Sequence, residues 1–159
     1  MKNIVDCGGL PHIVFMLHSN HVVMLNEAIV SLTIMASTLS SSNTAKEEST
    51  CDADEQLTKE DIDNKEQPAS MWSGHLLISS QLHTDAVINA IKNCLKNNDL
   101  PKEVKANAAT LTIALLKVKK NEFKQMLEDM NFVSECLNEE GLKILPRECK
   151  RLLDVLTES

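Results

Sequence analysis

The chain has 159 residues, 43% hydrophobic but only 3% aromatic, with four glycines and four prolines. This is long enough for a real core, and the shortage of turn formers and aromatics excludes the many short strands of an all-β fold. The net charge is −7, yet residues 40–70 alone hold nine acids against three lysines, so the rest is nearly neutral and offers no basic stripe for nucleic acid.

In chain order, Gly8-Gly9 breaks any preceding element, and Pro11 sits where a short helix through about Leu17 would start. His18-Ser19-Asn20 turns the chain. A longer helix is predicted from His21 to about Leu39, with Ala28, Ile29, Leu32, Met35, Ala36 and Leu39 on one stripe. Val23, Met24, Val30 and Ile34 lie off that stripe and are also apolar, which predicts a helix sandwiched between neighbours. Residues 40–73 are Ser-, Asp- and Glu-rich and bury too little apolar area to offset ordering entropy, so a disordered acidic insert is expected there.

Helical periodicity returns over 74–159. A short helix is expected over His75–Gln81. Thr84 caps one that carries Val87, Ile88, Ile91, Cys94 and Leu95 and ends at Asn97-Asn98-Asp99. Pro101 opens the next, through about Val118. Apolar clusters at Phe123/Met126/Leu127/Met130 and Phe132/Val133/Cys136/Leu137 follow, then a helix started by Pro146 with Cys149, Leu152, Leu153 and Leu156.

Two of these helices match each other. Laying His21–Met35 over Lys102–Leu116 pairs Val23 with Val104, Asn26 with Asn107, Ala28 with Ala109, Val30 with Leu111, Leu32 with Ile113 and Met35 with Leu116. Each is preceded by a shorter apolar helix and a polar turn, the pattern of an α-solenoid. The shared asparagine has two readings: a bond to a neighbouring helix or loop, or a place on a concave groove where it bonds a ligand's backbone.

The stretches GGLPHIVFMLHSNHVVMLNEAIVSLTIMA, LPKEVKANAATLTIALL and RLLDVLTES resemble the C-terminal armadillo repeats of the small G protein GDP dissociation stimulators, the SmgGDS group that includes the fly relative Vimar. The resemblance covers roughly residues 7–39 and 74–159. It implies an all-α, armadillo-type α-solenoid: a right-handed superhelix of helix pairs and triplets. About three repeat units are expected, the last part of a longer protein, with one repeat in 1–39, the insert in 40–73 and repeats plus a C-terminal cap in 74–159. It further implies a guanine-nucleotide exchange factor and chaperone scaffold for small GTPases of the Rho and Rap classes. Such a scaffold is cytosolic, with endoplasmic-reticulum or mitochondrial association. The groove residues implied are Asn26 and Glu27, with Asn107 by the internal match; Val22 and Glu103 sit one turn earlier on the same faces.

Other patterns are weaker. Cys7, Cys51, Cys94, Cys136 and Cys149 are odd in number and lack C-x-x-C spacing, which argues for reduced thiols and against a disulfide framework or zinc finger. Cys94, Cys136 and Cys149 fall on apolar faces and read as small core residues. Cys7 with His12, His18 and His21 lacks a second liganding pair, so they read as ordinary surface or core residues and no metal is expected. Trp72 reads as the point where packing restarts after the insert, with a short linear anchor for a partner as the functional alternative. The hydroxyls of Ser40–Ser42, Ser49 and Thr50 read as a solvated linker, with phosphorylation as the functional alternative. The N-terminus has no apolar leader pattern, and Val22–Leu39, holding Asn26 and Glu27, reads as too short and polar to span a membrane. No motif for covalent catalysis occurs, so neither enzyme chemistry nor a cofactor is expected. Rival readings are a peptide-binding armadillo adaptor without exchange activity and a structural cap for a longer stack. An uncovered apolar flank on the first helix pair should favour self-association.

Overall fold

The computed structural model describes residues 8–44 and 79–157. The helices are α1 (Gly9–Met16), α2 (Val22–Thr44), α3 (Asp85–Lys96), α4 (Lys102–Val118), α5 (Lys120–Asp129), α6 (Phe132–Cys136), α7 (Glu139–Ile144) and α8 (Pro146–Thr157), with a further helical turn at 79–82. No strand occurs among the described residues, and the fold class is all-α. The acidic stretch from residue 45 on, including Ser49, Thr50, Cys51 and Trp72, lies outside the described residues, as do Cys7 and the first part of the His75–Gln81 helix.

Local chemistry sets the helix ends. Thr84 accepts a hydrogen bond from the Val87 backbone N–H, and Asp85 adds a negative charge in the first turn of α3. Pro101 precedes α4, where its missing N–H costs nothing. Helix α1 begins two residues earlier than Pro11 predicts: Gly8 adopts the left-handed conformation (φ 69°) just before it. Pro11 still lies within the first turn, where backbone N–H groups have no helical acceptor. Helix α2 runs past Leu39 into the stretch expected to be disordered. Thr38 Oγ1 donates to the Ile34 carbonyl at 2.8 Å, and Ser40 and Ser41 Oγ both donate to that of Ser37 at 2.9 and 3.0 Å. These back-bonds keep the hydroxyls satisfied on a helical backbone. Over Val22–Ser41 the helix is thereby long and apolar enough to cross a membrane, where the shorter predicted run was not. Its inner side is nevertheless committed to the protein core.

The core is built around α4. This helix packs against α2, α3, α5 and α8, and Val104, Ala108, Ala109, Leu111, Ile113, Leu115 and Leu116 are all buried. Thr112, also buried, donates to the Ala108 carbonyl at 3.0 Å and leaves no unpaired hydroxyl. Helix α2 offers Leu25, Ala28, Ile29, Leu32, Met35, Ala36 and Leu39 to the same core, the stripe its periodicity predicts. The expectation that α2 is covered on several sides does not hold. Val23, Met24, Val30 and Ile34 are exposed, because α1 and α4 are its main partners and both meet its inner side.

His83 fastens the chain where it re-enters this core. Its Nδ1 lies 2.7 Å from the Ser79 carbonyl oxygen and its Nε2 3.2 Å from that of Leu115 in α4. The ring meets Phe123 of α5 edge-on, with centroids 5.0 Å apart. Further along, Glu135 of α6 bridges two lysines of α3, with Lys92 Nζ at 3.0 Å and Lys96 Nζ at 2.9 Å; Lys92 also donates to the Met130 carbonyl at 2.7 Å. The hydrogen bond from Lys96, then that from Lys92, holds the Glu135 carboxyl below its ordinary value of 4.5. Helix α7, not anticipated from sequence, is capped by Asn138, which accepts from the Gly141 N–H at 3.0 Å.

Three outcomes follow. Leu111→Ala, which empties a fully buried position, should cost about 3 kcal/mol in urea unfolding. Gly141→Ala should destabilise as well, although Ala is the better helix former by about 1 kcal/mol, because a Cβ there would strike the Cys136 backbone carbonyl. A carboxyl with a lowered pKa stabilises the fold above its unfolded value and loses that contribution as pH falls through the folded one. The advantage of the parent over Glu135→Gln should therefore be full above pH 4.5 and shrink below it, as read from urea midpoints across pH.

Candidate partner-binding face

The clearest polar feature joining the matched helices is a contact between their equivalent asparagines. Asn107 Nδ2 donates to Asn26 Oδ1 at 2.9 Å, with both side chains half-buried at the seam between α2 and α4. Two positions 81 residues apart in the chain thus meet at the same level of two packed helices. The bond uses one donor of Asn107 and one acceptor site of Asn26. A side-chain amide has two N–H donors and an oxygen with two lone pairs, so both residues keep capacity for a ligand.

The other predicted residues lie around this pair. Val22 is one turn before Asn26 and 37% exposed; Glu103 is one turn before Asn107 and exposed. These four share one side of the α2–α4 pair. Glu27 does not join them. One residue beyond Asn26, it leaves the helix about 100° further round, and it stands in solvent beside Val23 and Val30. The result is a partly wet polar seam, with Val22 and Glu103 each one turn before its asparagine.

A cleft elsewhere was not legible in the sequence. A cleft of about 170 Å³ lies between the end of α3 and the α6–α7 turn, lined by Leu95, Lys96, Asn98, Glu135, Cys136 and Asn138, among others. It is well below the ~300 Å³ at which small-molecule sites begin, and its charges already pair with each other. Among the described residues, no three His, Cys, Asp or Glu side chains gather as metal ligands would.

The cysteines Cys94, Cys136 and Cys149 are buried, as their apolar faces predict. Burial pushes the thiols of Cys94 and Cys136 up to about 11 and raises that of Cys149. They stay protonated at neutral pH and are poor nucleophiles. Comparison with family models, characterised proteins and solved structures returned no match to this chain.

Two measurements probe these features. A double-mutant cycle on Asn26→Ala and Asn107→Ala should return a coupling of about 1 kcal/mol, the net worth of a half-buried neutral hydrogen bond. Site-resolved alkylation at pH 8, read by mass spectrometry, should leave Cys94, Cys136 and Cys149 largely unmodified until denaturant is added.

Proposed function

We propose that this chain belongs to an armadillo-type α-solenoid that binds small GTPases of the Rho and Rap classes, stimulating GDP release and escorting the GTPase. The observation that carries the reading is the Asn26–Asn107 hydrogen bond. The residues that match in the internal alignment also meet in space, as units stacked by simple translation would make them meet. The segments containing them are those that resemble the GDP dissociation stimulators, and that resemblance supplies the GTPase as partner.

Exchange of this kind needs no covalent step. A scaffold that binds the nucleotide-free GTPase more tightly than the GDP-bound form lowers the cost of losing GDP by the difference between the two affinities. A tenfold preference corresponds to about 1.4 kcal/mol. On this reading the amide capacity left over at Asn26 and Asn107, flanked by Val22 and Glu103, grips backbone and polar groups of the GTPase, and Glu27 meets basic groups at the edge of the contact. The same amides would equally serve a peptide adaptor that leaves nucleotide exchange untouched.

The deciding measurement is release of a fluorescent GDP analogue from a panel of Rho- and Rap-class GTPases with the chain in excess. Accelerated release from at least one GTPase is expected, with Asn26→Ala/Asn107→Ala reducing the acceleration. Binding with unchanged GDP off-rates across the panel would leave the adaptor. A large loss of stability in the double variant, with partner binding intact, would reduce the pair to a structural cap.

A further inference from the structure

The half-buried ring of His83 stands between two acceptors. Its Nδ1 is 2.7 Å from the Ser79 carbonyl oxygen and its Nε2 3.2 Å from that of Leu115. A carbonyl oxygen has no proton to give, so each contact is a hydrogen bond only when the ring nitrogen donates. A neutral imidazole has one N–H and can make one of the two bonds; its other nitrogen then turns a lone pair on an oxygen. The imidazolium makes both. The backbone holds the two oxygens where they are. That of Ser79 also accepts the His83 backbone N–H at 3.1 Å, and that of Leu115 the Lys119 N–H at 3.3 Å.

We propose that His83 is a proton-operated clasp: as an imidazolium it ties the turn before α3 to the end of α4, and as a neutral ring it releases that tie. Two features of its surroundings favour the charged ring. Leu115 lies in the last turn of α4, where the helix dipole is negative and a cation is stabilised. On α5, Glu122 is close enough for its charge and that of the ring to act on each other. The Glu122 carboxyl is held below its ordinary 4.5, first by the hydrogen bond from Lys119 and more weakly by the charge of His83. Lys119 itself is drawn to Glu122, at 2.7 Å. On the ring's own segment, Asp85 follows two residues on, in the first turn of α3, and the Lys117 side chain in the last turn of α4 is exposed. The turn depends on the ring because its other polar anchor is missing: Ser79 is buried, yet its hydroxyl has no hydrogen-bond partner. Leu82, fully buried, remains as the apolar hold. A fold that uses both ring N–H groups binds the proton more tightly than the unfolded chain does. The tie is therefore complete at low pH and is lost as pH rises through the range, about 5 to 8, in which histidines change charge. None of this depends on the nucleotide-exchange reading.

The test is amide hydrogen exchange on the whole chain at pH 5.5 and pH 8, corrected for the intrinsic effect of pH. The His83 amide, bonded to Ser79, should open at least about tenfold more readily at pH 8, relative to the Thr112 amide within α4; that is the scale of one hydrogen bond from a charged donor. His83→Gln, which keeps a side-chain donor but does not titrate, should lose this dependence on pH. His18→Gln, at an exposed site, should keep it. Should His83→Gln fold too poorly to compare, the ring nitrogens of the parent decide, read by 15N NMR at pH 7: His83 should be more fully protonated in the folded chain than in urea. Equal relative protection at the two pH values overturns the proposal, as does an unchanged pH dependence in His83→Gln or its loss in His18→Gln. So does a folded ring no more protonated than the unfolded one.

Discussion

Helix α4 has protein on nearly every side, and the rest of the molecule is arranged by what can be laid against it. A rod with so many buried aliphatic positions cannot sit at a surface: each large one left in water would forfeit about 1.5–3 kcal/mol. That requirement brings α2 to one flank, α8 to another, and α3 and α5 into the remaining contacts. The asparagine pair sits at the margin of the largest of these interfaces, where water begins. Side chains of that type fix the level at which two helices meet, since a shift of one turn would separate Asn26 from Asn107 while leaving the aliphatic contact nearly as good.

Much of this could be read from residue order. Thr84 three residues before Val87, and Pro101 before the apolar run of α4, placed helix starts to within a residue, because both act through local backbone chemistry. The inner stripe of α2 was legible for a related reason: 3.6-residue periodicity is a property of one helix alone. What periodicity cannot report is whether an apolar position has a neighbour. Val104 and Val23 look alike in sequence, yet one is buried and the other open. The far end of α2 escaped notice because Ser and Thr usually compete with helix, and here their hydroxyls turn back to carbonyls of the same helix. Helix α7 escaped because its glycine reads as a break, whereas Gly141 is there to let the helix approach the Cys136 carbonyl.

The candidate face shows the same division. Asn26 and Asn107 were found by aligning the chain with itself, and their meeting in space is a tertiary fact no single helix contains. Val22 and Glu103 followed from helical spacing. Glu27 was carried over together with Asn26 by the resemblance, and the turn of the helix sets it on another side. The His83 clamp and the Glu135 bridge left no trace in the sequence, since each joins residues more than thirty positions apart through interactions any histidine or lysine could make.

The register of α2 has a consequence of its own. The docking of α2 on α4 is decided by side chains on the two rods. A single residue inserted within α2 would swing everything beyond it by about 100° and turn the inner stripe outward. Substitution at solvent-facing positions of either rod is cheap by comparison, while the register of each is effectively frozen.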